Sequence, residues 1–156
     1  MPVRIQTDDF DAGRELAQLR NGDRAIGAVA AFIGTVRDVN ADATIASMTL
    51  EHYPGMTEKA LAAIVDDAKA RWDIADALVI HRVGALKPAD QIVLVAVTSA
   101  HRGEAFAACE FIIDYLKTRA PFWKKEETSA GARWVEARAS DDDAAARWRA
   151  PTEPAG

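Results

Sequence analysis

The chain has 156 residues, with 49% hydrophobic and 28% charged side chains, a globular balance of about one domain rather than a disordered one. Roughly 68–70% of the unfolded surface can be buried at this length, so a core can form without staples; the single cysteine excludes an internal disulfide and suits a reducing compartment. A net charge of -5, from 24 acids and 19 bases, argues against general nucleic-acid binding, which needs clustered cations against phosphates.

The longest apolar stretch, Ala25 to Ile33, is far short of the ~20 residues a membrane helix needs. No basic start leads into an apolar run and a cleavage site, so a cytoplasmic protein with no membrane or nucleic-acid partner is expected.

In chain order, Val3 to Gln6 reads as a short strand and Asp11 to Leu19 as an amphipathic helix stopped by the turn pair Asn21-Gly22. Ala25 to Val36, rich in Val, Ile, Phe and small residues, reads as a buried strand. Its Gly27 and Gly34 suggest a bulge or a close backbone approach. Arg37 to Ala43 reads as a loop, Thr44 to His52 as a strand, and Tyr53-Pro54-Gly55 as a turn.

Thr57, whose hydroxyl can cap a first-turn N–H, opens a helix to Trp72 with Leu61, Ile64, Val65, Ala68 and Trp72 on one stripe. Ala77 to Val83 and Gln91 to Thr98 read as strands joined through Lys87-Pro88-Ala89-Asp90. A second long helix runs from Ala100 to Arg119, its apolar stripe formed by Phe106, Cys109, Ile112, Ile113 and Leu116, and Pro121 stops it. Phe122 to Glu126 and Arg133 to Arg138 read as strands and Asp141 to Trp148 as a short helix. The pattern predicts an α+β fold in a single domain over residues 1–150, with 151–156 a disordered C-terminal end.

Bases collect in three places that local structure does not require. Arg37 follows the apolar strand, where the plain reading is a solvated loop arginine. His101 and Arg102 stand at a helix start, where partial positive charge and free N–H groups favour anions over cations. An anion bound there would reconcile the two; pairing with Glu104 is the plainer alternative. The third run, LKTRAPFWKKE, puts Lys117 at the border of the helix stripe, where its stem can follow apolar surface. Lys124 points to the strand face opposite Trp123 and Lys125. A charged edge that blocks aggregation is the plainer reading of that strand.

Cys109, on the helix stripe, reads as a buried inert thiol. His52 and His81 fall in strands with no metal-ligand spacing, so no metal site is expected, and no phosphate-loop, dinucleotide or serine-hydrolase motif occurs.

Five collinear stretches, FIGTVRDVN, LEHYPGMTEKAL, TSAHRGEAF, DYLKTRAPFWKKE and RWVEAR, resemble the large, catalytic subunit of molybdopterin synthase, the MoaE family, from about Gly27 to Trp148. The resemblance implies an α/β hammerhead-like fold with an additional antiparallel sheet. It implies sulfur transfer from the C-terminal thiocarboxylate of a small ubiquitin-like MoaD-family subunit to cyclic pyranopterin monophosphate, forming the molybdopterin dithiolene. It also implies a homodimer within a heterotetramer, and no cofactor.

By position, Lys117 and Lys124 match the family's catalytic lysines, while Arg37, His101, Arg102, Lys125, Glu126 and Arg138 match the substrate pocket. Thr35 and Val36 belong to the same segment, and Thr35 stands where many members carry Lys. A non-catalytic homologue that only binds a ubiquitin-like partner or pterin is the alternative from another class. An RNA-binding reading of Phe122, Trp123, Lys124 and Lys125 is opposed by the acidic net charge.

Overall fold

A computed structural model describes residues 2–40, 43–128, 131–135 and 139–149. The elements are β1 (Val3–Gln6), α1 (Ala12–Arg20), β2 (Ala28–Thr35), β3 (Val39–Asn40), β4 (Ala43–His52), α2 (Met56–Arg71), β5 (Asp76–Arg82), β6 (Gly84–Leu86), β7 (Gln91–Ser99), α3 (Arg102–Arg119), β8 (Phe122–Thr128), β9 (Gly131–Val135) and α4 (Ala139–Ala146).

The first sheet has the order β1-β5-β7-β2, with β1 parallel to β5 and the other pairs antiparallel. β5 and β7 are buried on both faces, so they read as continuous apolar runs rather than alternating ones. On one face Leu78, Ile80, Leu94 and Ala96 meet Phe10 and the Leu16 and Leu19 side of α1. On the other, Val79, Val93, Val95 and Val97 meet Leu61, Val65 and Ala68 of α2 and Ala108, Phe111 and Ile112 of α3. Trp148 closes this larger core, edge-on to Trp72 (5.4 Å) and Phe111 (5.8 Å), while its indole N–H donates to Asp114 at 2.6 Å.

The second sheet has the order β3-β4-β8-β9, and β6 pairs with β4 beside this path. A smaller apolar cluster joins the two sheets: Val36 from the end of β2, Met48 and Leu50 from β4, and Val83 and Leu86 around β6. This α+β architecture agrees with the sequence pattern.

Local chemistry sets the helix ends. Asp11 accepts a hydrogen bond from the Arg14 N–H at 3.1 Å, and Asn21 takes the left-handed conformation after α1. At α2 the cap is Gly55, not Thr57, and Glu58 reaches back to accept from the Gly55 N–H at 2.7 Å. Thr57 is buried one position inside α2, where its hydroxyl donates to the Tyr53 carbonyl at 2.9 Å.

Four further expectations change. The strand expected to be buried, β2, is an edge strand with Val29 37%, Phe32 38% and Ile33 41% exposed. Its apolar composition is equally that of an edge awaiting a partner. Phe106, assigned to the α3 stripe, is 64% exposed. The inward stripe is centred on Ala105, Ala108, Phe111, Ile112 and Tyr115, spaced at three and four residues. The loop expected from Arg37 to Ala43 contains the two-residue β3, and β6 interrupts the expected β5–β7 connection. Both are too short to carry a periodic signal.

Candidate functional site

The register across the first sheet fixes which residues share an end. Thr35 lies opposite Gln91, Gly34 opposite Val93, and Val93 opposite His81. The end of β2, the start of β7 and the end of β5 are therefore one rim. Val36 is locked there, its N–H donating to the Asp90 carbonyl (2.9 Å) and its own carbonyl accepting from the Ala89 N–H (2.8 Å). Strand alternation buries the Val36 side chain in the smaller cluster and leaves Thr35 and Arg37 exposed on either side.

Lys124 reaches the same region from the second sheet. On β8 it lies opposite Leu50, Glu126 opposite Met48, and Phe122 opposite His52. Directly paired residues share a sheet face, so Phe122, Lys124 and Glu126 share the face of the buried Met48 and Leu50. Lys124 is half-buried and Glu126 buried. Trp123 and Lys125 occupy the opposite face, where Trp123 meets Tyr53 edge-on at 4.9 Å.

Lys117 stands in the last turn of α3, exposed, five positions before Phe122. A cation there complements the carbonyl end of the helix. Its charge reaches His81 on the rim. His81 is only 5% exposed, lies flat on the Phe122 ring (centroids 3.8 Å, planes 17° apart) and places Nδ1 2.8 Å from the Arg82 carbonyl. Burial first, then the charges of Lys117 and His52, outweigh that bond and lower the His81 pKa to about 4. Sequence reasoning had noted His81 only as a strand residue; the signal was a histidine closing the apolar run ALVI.

His101 and Arg102 lie elsewhere. They begin α3, next to Ser99, which pairs with Ala28 at the opposite end of β2 from Arg37. Arg102 and Lys117 are about 22 Å apart along the helix axis at 1.5 Å per residue. Gly27 holds this corner tight: its N–H donates to the Ser99 carbonyl at 2.9 Å, and a Cβ added to it would stand 2.2 Å from the Ala100 carbonyl oxygen. Glu104 does not pair with Arg102; its carboxylate is 3.3 Å from the Ser99 hydroxyl. His101 provides no side-chain cap. Among the described residues, the side chains of Arg37, His101, Arg102, Lys117 and Lys125 make no hydrogen bond or ion pair. Arg138 lies outside the described residues.

One chain thus gathers Arg37, Lys117 and Lys124 about one rim and holds His101 and Arg102 at the other end of the sheet. Cys109 is buried with its thiol pushed up to about 11, by burial first and then by Glu110, as expected of an inert thiol. No group of three or more His, Cys, Asp or Glu side chains suited to a metal occurs among the described residues, and no helix among them is long and apolar enough to cross a membrane.

The fold and these cations define an α+β protein that presents arginine, lysine and histidine side chains from two sheets and both ends of one helix. Residues 5–119 match the family model described as MoaE protein. A relative from Ralstonia nicotianae, the "Molybdopterin synthase catalytic subunit", is 67% identical over 153 residues, covering 98% of this chain and 87% of that protein. Two solved structures agree. The "Molybdopterin biosynthesis MoaE protein" from Burkholderia ambifaria is 60% identical with a TM-score of 0.80, covering 94% of this chain and 96% of its own. A molybdopterin synthase from Staphylococcus aureus is 32% identical with a TM-score of 0.81, covering 87% of this chain and 98% of its own. The chain belongs to the MoaE family.

Proposed function

We infer that this chain is the catalytic subunit of a molybdopterin synthase, a cytoplasmic sulfurtransferase acting on cyclic pyranopterin monophosphate. Sulfur comes from the C-terminal thiocarboxylate of a small ubiquitin-like subunit and leaves as the dithiolene of molybdopterin. The 67% identical relative, itself named a subunit, supports the reaction and implies a companion chain. The observation that carries the chemistry is the convergence of Lys117 and Lys124 from different elements on one rim, beside Arg37.

The residue types suit the reaction. The substrate carries a phosphate, and sulfur transfer builds negative charge on thiolate and acyl oxygen. Fixed cations in a partly dry site stabilise such charge most when it develops. Lys117, exposed at the helix end, meets the thiocarboxylate carbonyl and acts there as acid/base or transient nucleophile. Lys124, on the inward face of β8, binds and polarises the pterin. Lys125 and Glu126 follow it on the strand, Thr35 and Arg37 extend the anion-binding surface, and the family likeness adds Arg138 to the substrate-binding residues.

His101 and Arg102 join this site from a second copy. The exposed apolar edge of β2, about 23 Å long, pairs antiparallel with the same strand of the partner across a two-fold axis. That pairing sets the Thr35–Arg37 end of one copy beside His101 and Arg102 of the partner subunit, so each phosphate is held by both chains. The test supplies precursor and thiocarboxylated small subunit and measures dithiolene product by mass spectrometry. Product formation is expected, and its absence with well-folded protein removes the catalytic reading in favour of a binding-only homologue.

A further inference from the structure

A histidine at the end of a buried apolar strand needs a reason, because a leucine would fill the space without an imidazole to satisfy. His81 is fixed in two ways: Nδ1 faces the Arg82 carbonyl at 2.8 Å, and one ring face lies on Phe122 at 3.8 Å. Phe122 is the first residue of β8, at the elbow after α3. It stands five residues after Lys117 and two before Lys124. Pro121 lacks an N–H and the Phe122 N–H is turned back to the Ala120 carbonyl at 2.8 Å, so the stack on His81 adds to the packing of Phe122 against the two apolar clusters and to its place opposite His52.

Building on the function proposed above, we propose that His81 is a positioning residue, whose ring is the platform that seats Phe122 and thereby sets the spacing of Lys117 and Lys124. Lys117 and His52 are the charged or titratable neighbours that act on this ring, and burial keeps it neutral down to about pH 4. At neutral pH it therefore adds no repulsion to the lysine beside it. It touches no reacting atom; its effect passes through the stack on Phe122.

Two substitutions separate the ring from the hydrogen bond. His81→Phe keeps a flat face and loses the Nδ1 donor; His81→Asn keeps an N–H donor near the Nδ1 position and loses the ring. Each is assayed with precursor and thiocarboxylated small subunit, recording kcat and KM beside thermal melting. We expect His81→Phe to hold kcat within about three-fold and His81→Asn to lose about ten-fold or more, with KM for the precursor nearly unchanged in both. Phe122→Leu, which removes the other half of the stack, should lose kcat to the same degree and keeps the test available if His81→Asn does not fold. Equal kcat in wild type and His81→Asn, or equal losses in the Phe and Asn variants, overturns the proposal. A wild-type protein that makes no product counts against the function itself rather than against this role.

Discussion

Arg102 and Lys117 occupy opposite ends of α3, about 22 Å apart by helix rise, with no ion pair to either among the described residues. Two cations this far apart cannot hold one small phosphoester. If both serve one reaction, each site takes them from different chains. Arg102→Ala and Lys117→Ala should each abolish most turnover alone. Mixing the two purified variants under subunit exchange should restore about a quarter of the sites, because half the dimers are mixed and each carries one intact site. No recovery after confirmed exchange would place the whole site within one chain.

Lys117→Ala and Lys124→Ala should differ in kind. Both should lower kcat by about 100-fold or more. Lys124 lies half-buried on the inward face, so its loss should also weaken precursor binding; Lys117, exposed at a helix end, should leave that binding nearly intact. Calorimetric titration with the precursor alone distinguishes them.

Gly27→Ala should destabilise the fold by about 1–3 kcal/mol. The new methyl would stand 2.2 Å from the Ala100 carbonyl oxygen, so the β2–β7 corner must open. Since His101 and Arg102 follow Ala100 directly, activity should fall further than the folded fraction does. Denaturant titration beside turnover at a temperature where the variant is folded makes the comparison.

His81 gives stability a defined acid dependence. Its folded pKa, about 4, lies below the ordinary histidine value of 6.5. The unfolded chain therefore binds the proton first as pH falls. This contribution is complete above about pH 6.5 and is lost progressively between there and pH 4, amounting to about 3 kcal/mol at most. His81→Phe should flatten that part of the stability profile, as measured by denaturant unfolding at pH 7 and pH 4.5.

Trp148→Ala should cost about 2–3 kcal/mol, somewhat under the range for a fully buried tryptophan. It removes the edge contacts to Trp72 and Phe111 and the bond to Asp114, while the backbone carbonyl at this position stays available to Arg71. Arg147, paired with Glu110 and Asp114, would lose its anchor beside it. Thermal melting reads the loss.

Long periodic segments were legible in the sequence: the α2 stripe of Leu61, Ile64, Val65 and Ala68 and the apolar runs of β5 and β7 lie where the pattern puts them. The outer position of β2 was not, because residues that suit a central strand also suit an edge that expects company. Phe106 was misplaced for a related reason: a large apolar side chain weighs on a stripe estimate wherever it sits, while small inward residues such as Ala105 and Ala108 define the contact. At the site, the expected helix already put His101 and Arg102 at its start and Lys117 near its end, but placing Arg37 at one end of the sheet and His101 and Arg102 at the other needed the strand register. His81 was passed over because its sequence neighbours say nothing of Phe122, which lies far along the chain and only the fold brings it alongside.

The small cluster of Val36, Met48, Leu50, Val83 and Leu86 acts as a rivet between the two sheets. Lys124 rides on one sheet while Arg37 rides on the other, so their alignment depends on a handful of side chains rather than on the main core. Warming should slacken this fastening first. Turnover should then fade several degrees before the helices melt, and trimming two carbons, as in Val83→Ala, should widen that interval.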